Sequence, residues 1–251
     1  MTPVTIFNFS DVYKRQDFYN RVPHEWIDCS DLRGVHGFCD DLALGTIEER
    51  SKEVDGGIRF IDGGNYHYVS YALMKKLKEP HDLVVLDHHT DMVPSRFEGL
   101  LSCGNWIRES LSRRECLQNV ILLGVSDELA KTVGGKYKSR VTVYGETEVS
   151  GDGWLSGFAG QMDKPVYLSV DKDVFSPEEV TTDWDQGSMS FRQLDALCDV
   201  IGGEVPVLAV DVCGEYNSIS GGPFKVEETD KKNSMANGKI LDILLKKKFY
   251  A

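Results

Sequence analysis

The feature that most restricts the fold is a series of short runs that are apolar almost throughout and rich in β-branched residues. They are VTIFNF (4–9), GIRFI (57–61), DLVVLD (82–87), NVILLGV (119–125), RVTVYG (140–145), VYLSVD (166–171) and VLAVDV (207–212). A strand with one wet face alternates apolar and polar residues, whereas a strand apolar on both faces must be covered on both, as in a parallel sheet between helices. Segments of helical period lie between the runs, near 40–54, 66–79, 104–115, 127–133, 190–201 and 236–248. This alternation predicts an α/β chain with right-handed crossovers and one mostly parallel, doubly wound sheet. No repeat, low-complexity tract or linker divides the 251 residues, so a single domain, 1–251, is expected. The stretch 146–164, rich in glycine and polar residues, is expected to be a loop with a short helix, and 214–236 a long loop before the final helix. Residues 11–16, DVYKRQ, coincide with one reading frame of a common sequencing adapter and carry no weight here.

Composition excludes several classes of function. No run approaches the ~20 consecutive apolar residues of a membrane span. The first residues, MTPVTIFNFSDVYKRQ, lack a basic segment followed by an apolar one, so no signal peptide is read and a cytoplasmic protein is expected. The six cysteines, at 29, 39, 103, 116, 198 and 213, are scattered and form no CxxC pair; reduced, buried thiols are expected. A net charge of −12 argues against nucleic acid as a partner and fits a cationic substrate or bound metal ions slightly better.

Two of the apolar runs end in alternating acids. In DLVVLDHHTDM (82–92), an extended chain projects Asp87, His89 and Asp91 from one face while His88 and Thr90 face away. Open α/β sheets place their sites at the carboxyl ends of strands, and charges left unpaired there are costly, so a cation is the natural partner. In VYLSVDKDVFSP (166–177), Asp171 and Asp173 share a face and Lys172 points away. One such pair of acids would more often be a turn or helix cap. Two strands ending the same way point to metal. A third segment, FIDGGNYHYVSYALMKKL (60–77), has a strand turning at Gly63-Gly64 into a helix near Tyr66, with His67 at the mouth of the turn.

These three segments resemble, in order and spacing, the Gly-Gly-Asp-His, Asp-Ala-His-x-Asp and Ser-x-Asp-x-Asp-x-x-Asp-Pro motifs of the ureohydrolases, the arginase/agmatinase/formiminoglutamase family. TTDWDQGSMSFRQL (181–194) is similar to the family's glycine-containing loop before a helix, and the likeness spans roughly 58–215. The resemblance implies a three-layer α/β/α fold around an eight-stranded parallel sheet and two manganese ions. One ion would take His67, Asp87, Asp91 and Asp171; the other Asp87, His89, Asp171 and Asp173, so that Asp87 and Asp171 bridge. Carboxylate-rich ligation with one imidazole per ion suits Mn²⁺, although iron, cobalt or zinc would also fit the set.

The departures from the family bear on substrate. Gly63-Gly64-Asn65-Tyr66-His67 is one residue longer than the family motif, so His67 reaches the metal only if the turn absorbs the extra residue. In EGLLSCGNWIRES (98–110), Ile107 stands where the family carries a proton-shuttling histidine, and all six histidines lie at or before residue 89. Cys103 and Asn105 are expected near the site, Cys103 as a small residue at a helix start rather than a nucleophile. In VLAVDVCGEY (207–216), Asp211 matches, Gly214 holds the position of the family's guanidinium-binding Glu, and Glu215 comes one residue later. Val93 stands where arginases have an Asn that holds the substrate α-carboxylate, so arginine is not expected as substrate. The expectation is a metal-dependent hydrolase of a linear C–N bond in a small cationic or amide substrate. Asp91 and Glu215 are the catalytic candidates, Glu215 orienting a cationic group, and His88 packs beneath the site. The alternatives are a zinc-dependent amide deacetylase and a metal-binding paralogue without turnover. The family resemblance also implies a possible homo-oligomer.

Overall fold

The computed structural model describes residues 2–95, 97, 99–217 and 222–247, the side chains of 222–225 excepted. The strands are β1 (Val4–Asn8), β2 (Glu25–Asp28), β3 (Phe38–Cys39), β4 (Ile58–Phe60), β5 (His81–Leu86), β6 (Leu101–Ser102), β7 (Leu117–Val125), β8 (Val141–Gly145), β9 (Val166–Asp171) and β10 (Val207–Cys213). Eight form one sheet in the order β2-β1-β4-β10-β9-β5-β7-β8, and β3 pairs with β6 in a small antiparallel ribbon. Every pairing in the large sheet is parallel. Every apolar run read from the sequence is one of its strands. The eighth, β2, was not foreseen because EWID sits at the edge with its first and last residues exposed, and so carries no apolar run.

The helices are α1 (Asp41–Arg50), α2 (Val69–Met74), α3 (Trp106–Arg113), α4 (Asp127–Ala130), α5 (Glu146–Val149), α6 (Trp154–Phe158), α7 (Phe191–Glu204) and α8 (Gly222–Lys246). They cover both faces of the sheet. In β5, Val84 and Leu86 pack into one apolar core with Leu194, Leu197 and Ile201 of α7 and Ile240, Leu241 and Leu244 of α8. The alternate residues Leu83 and Val85 pack into a second core with Ala43 and Ile47 of α1, Leu73 of α2 and Ile107 and Leu111 of α3. The period of two in the strands therefore sorts side chains into two cores, which is why the runs are apolar throughout. The result is the three-layer α/β/α arrangement.

Two helix expectations are corrected. The segment 66–79 is not one helix: a 3-10 turn over Gly64–Tyr66 precedes the short α2. The final helix begins within the stretch read as loop, and α8 runs for 25 residues. Its inward face near the start is polar, with Thr229, Asp230, Asn233, Ser234 and Asn237 all buried. Asp230, Asn233, Ser234 and Asn237 are satisfied by partners distant in sequence, such as Asn233 Nδ2 donating to the Thr181 carbonyl at 2.8 Å. A buried face made of hydrogen-bonded polar groups leaves no apolar period to read. Residues 218–221 of the expected loop and residue 248 of the expected helix lie outside the described residues. All six cysteines are free, four of them buried. Among the described residues no helix is long and apolar enough to cross a membrane.

Candidate metal centre

Register brings the acids together. β5 and β9 are neighbours with Leu86 opposite Val170, so Asp87, the next residue, lies level with Asp171 at the carboxyl edge. On the other side of β9, Cys213 pairs with Asp171, and β10 in turn pairs with β4, from which the His67 turn leaves. That turn is pinned from below by Asp62, whose carboxylate accepts from the backbone N–H groups of Phe9 and Ser10 at 2.9 Å each. The 3-10 turn absorbs the extra residue of Gly63-Gly64-Asn65-Tyr66-His67 and delivers His67 to the acids. Its Nδ1 lies 3.1 Å from Asp91 Oδ2, 3.3 Å from Asp87 Oδ2 and 3.4 Å from Asp171 Oδ2. His89 Nδ1 lies 2.9 Å from Asp173 Oδ2 and 3.5 Å from Asp87 Oδ1. Three triads with the spacing of metal ligands result, His67–Asp87–Asp91, Asp87–His89–Asp173 and His67–Asp171–Cys213, the first two joined at Asp87.

The hydrogen bonds around His67 decide which ring nitrogen is available. Its Nε2 lies 2.8 Å from Ser169 Oγ. Ser169 donates its one proton to Asp211 Oδ1 at 2.5 Å, so its oxygen must accept from His67 Nε2–H. Asp211 is held in turn by the Tyr167 hydroxyl at 2.5 Å. Nδ1 is left buried, with no oxygen in hydrogen-bond geometry, and aimed at carboxylates. With Nε2–H engaged by Ser169, Nδ1 is the ring nitrogen that faces the acids and could ligate a metal ion once free of its proton.

The acids themselves are positioned by neutral donors. Trp106, the first residue of α3, donates its indole N–H to Asp91 Oδ2 at 2.6 Å. Asp91 takes a φ of 48°, a left-handed conformation that few non-glycine residues adopt. Asp173 Oδ1 accepts from the His88 backbone N–H at 3.0 Å, and the Cys213 thiol donates to Asp171 Oδ2 at 3.1 Å.

Crowding of like charge shifts the titrations. Burial, reinforced by the Asp87 charge, pushes Asp91 up to about 7. Burial and the charges of Asp171 and Asp87 raise Asp173 well above the carboxylate range. For Asp87 burial acts in the same sense, but the His67 and His89 imidazoles outweigh it and hold the acid low. Burial disfavours the charged form of His89, yet Asp173 and Asp87 raise it to about 11. Burial likewise works against a charged His67, which Cys213 and the surrounding aspartates raise well above the usual value. Four buried acids crowded around two imidazoles cannot all ionise without further counter-charge, which divalent cations could supply.

Asp87, His89, Asp91, Asp171 and Asp173 line a cavity of about 300 Å³ whose other walls include Gly64, Thr90, Val93, Cys103, Leu129 and Trp184. Of the residues singled out from sequence, His67, Asp87, His89, Asp91, Asp171 and Asp173 converge here. Cys103 also lines the cavity, and burial pushes its thiol up to about 12, which leaves it protonated at neutral pH. Ile107 is fully buried in the core beneath.

Glu215 lies apart from the residues that line this cavity. Its side chain is 1% exposed and forms a buried ion pair with Lys172 Nζ, with Asn237 Nδ2 at 2.6 Å, Gln16 Nε2 at 2.9 Å and Asn233 Nδ2 at 3.1 Å completing its shell. Burial opposes ionisation there, but the Lys172 charge and these donors hold the carboxyl below its usual value. It meets Asn233 and Asn237 of α8 and is paired with Lys172, away from the cavity lining. A Glu cannot occupy position 214: Gly214 has φ +94°, and a Cβ would lie 2.4 Å from Asp171 Oδ1. Lys172 does point away from the acids, as read from sequence, but into this network rather than to solvent.

Sequence reasoning passed over Trp106, Trp184, Cys213 and the Ser169–Asp211 relay. A serine within apolar β9 and an acid within apolar β10 were the available signals for the relay. Nothing local marked the tryptophans.

Comparison with known proteins agrees with this geometry. A sequence model of the arginase family matches residues 1–218. An uncharacterized protein of Thermotoga maritima is 28% identical over 239 residues, spanning 92% of this chain and 86% of its own. Among solved structures, formimidoylglutamase from Bacillus subtilis superposes with a TM-score of 0.70 at 11% identity, covering 99% of this chain and 88% of that one. Agmatine ureohydrolase of Thermoplasma volcanium gives 0.69 at 16% identity, covering 97% and 88%. At such identities the structural likeness speaks for the fold, and the sequence match carries the relationship. The chain belongs to the arginase family.

Proposed function

We propose that this protein is a metal-dependent hydrolase of a linear C–N bond in a small guanidine, amidine or amide. The observation that carries the reading is the pair of ligand triads sharing Asp87, with Asp171 Oδ2 3.4 Å from His67 Nδ1. One ion would be held by His67, Asp87, Asp91 and Asp171 and the other by Asp87, His89, Asp171 and Asp173. The donor set is mostly carboxylate oxygen with one imidazole per ion, which favours a hard ion such as Mn²⁺. Bound there, such ions would supply Lewis-acid polarisation and make water a nucleophile at neutral pH.

The chain's own residues bind and orient the substrate. Trp184, 44% exposed, stands edge-on to His89 with ring centroids 5.6 Å apart and offers a flat apolar face to a planar guanidine or amidine head. Gly64 keeps that face clear, because a Cβ would lie 3.0 Å from Trp184 Cδ1 and 3.2 Å from Asp171 Oδ2. No histidine is available to protonate the departing nitrogen, since position 107 is a buried isoleucine. Asp91 lines the cavity with Oδ2 pinned by Trp106, and is the group placed to hand over that proton.

Elemental analysis of the purified protein beside an Asp173→Ala variant tests the centre. About two ions per chain, falling in the variant, followed by release of ammonia or urea from a panel of guanidines and amides, supports the reading. A single zinc ion would move it to an amide deacetylase. Full metal uptake without turnover across the panel would select the non-catalytic alternative, which the buried Ile107 favours. No uptake of Mn²⁺ at all would refute the ligand assignment.

A further inference from the structure

The cavity carries acids only where they surround the metal positions. Its remaining walls, among them Thr90, Val93, Cys103, Leu129 and Trp184, are uncharged. Glu215 is committed to Lys172, so a cationic substrate tail would meet no free carboxylate there.

The adjoining cavity has the opposite character. Its volume is about 280 Å³, and Thr90, Val93 and Leu129 line both cavities. Arg108 lines it. This residue follows the buried Ile107 on α3, and its guanidinium lies over the Tyr137 ring, 5.2 Å from the centroid. Tyr137 is steadied by a hydrogen bond of 2.6 Å between its hydroxyl and Ser112 Oγ. A stacked guanidinium keeps its N–H edges free, and those edges match a carboxylate in two parallel hydrogen bonds. Among the described residues Arg108 is paired with no acid, although the chain has 40 Asp and Glu against 28 Lys and Arg. An arginine that is half-buried, paired with no acid among the described residues and in a cavity next to the candidate metal ligands has the chemistry to receive an anion.

We propose that Arg108 forms an anion-reading subsite, and that the substrate carries a carboxylate at the end opposite its scissile C–N bond. The substrate class is then an amidino, guanidino or amido acid, its planar head at Trp184 and its acid tail at Arg108. This rests on the metal centre being the reacting site.

Agmatine and γ-guanidinobutyrate share a guanidinium head and chain length and end in an ammonium and a carboxylate respectively. Calorimetric binding of each to the manganese-loaded protein, with hydrolysis measured alongside, tests the proposal. γ-Guanidinobutyrate should be favoured by about 10- to 100-fold, the span of a charge-assisted contact. Arg108→Gln should shrink that preference at least ~10-fold, with Arg108→Lys restoring part of it. Unchanged metal content and thermal midpoint in both variants would exclude misfolding as the cause. Equal or tighter binding of agmatine, a preference that survives Arg108→Gln, or binding of neither compound to metal-loaded protein would overturn the subsite. Failure to load metal, seen by elemental analysis, would instead overturn the hydrolase reading beneath it.

Discussion

Replacing Lys172 by methionine isolates the energetics of the buried pair beneath the candidate metal centre. The ammonium is fully buried and touches Glu215 and Asn237 Oδ1, the latter at 3.0 Å. Methionine fills much of the same volume but leaves the Glu215 carboxylate without a counter-charge, with only neutral amides as donors. Breaking a buried pair by removing one partner costs about 3–5 kcal/mol. In a chain of this size 1 kcal/mol moves the thermal midpoint by roughly 2–4 °C, so a fall of roughly 6–20 °C is expected. Removing both charges in Lys172→Met with Glu215→Gln should cost less than the sum of the single changes, by roughly 1–3 kcal/mol. Urea unfolding of the metal-free proteins, followed by tryptophan fluorescence, reads all four corners of the cycle. Because folding holds the Glu215 carboxyl below its ordinary pKa of ~4.3, its contribution is present above that pH and is lost as pH falls toward the folded value. The penalty of Lys172→Met should therefore shrink at acid pH. A cost under ~1 kcal/mol at neutral pH, or an additive double variant, would refute the view that this pair is a coupled unit.

Other changes test the acids and their supports. Ser169→Ala removes the acceptor that keeps the proton on His67 Nε2 and should weaken manganese binding by roughly 10- to 100-fold in a competition titration while the fold survives. Trp106→Phe leaves Asp91 Oδ2 without its donor and should weaken manganese binding in the same assay by about tenfold, the smaller end of that range. Gly214→Glu, which would place the family's acid at its usual position, should abolish metal uptake rather than improve activity, because its Cβ collides with Asp171 Oδ1 at 2.4 Å. Adding Mn²⁺ at pH 7 in weak buffer should acidify the solution, since the metal-free site holds His89 protonated up to about 11 and ligation expels that proton. A pH that does not fall as metal binds would contradict this state of the site.

The local sequence was enough for the strands and for the candidate ligands that the fold brings together. Leu83 to Leu86 are apolar throughout, which announces a strand covered on both faces, and the alternation from Asp87 to Asp91 announces which side chains share a face. Both signals are periodic and short-range, so no knowledge of the rest of the chain is needed. Which strands lie side by side is a different matter. The spacing of Asp87 and Asp171 in sequence does not place them level; the pairing of Leu86 with Val170 does. The polar face of α8 could not be read as helix because its Asn233 and Asn237 are satisfied by groups from other parts of the chain.

The same holds for Glu215. A displacement of one residue after Asp211 is small in sequence, and a carboxylate near a strand end has the chemistry of a substrate clamp. In an extended chain one residue reverses the face, and at Gly214 a left-handed φ together with the nearby Asp171 removes the remaining choice. Sequence alone therefore determined what could bind metal, because ligand chemistry and strand period are local properties. Tertiary structure decided which charges remain free to meet a substrate, because burial and pairing depend on what the fold lays against each side chain.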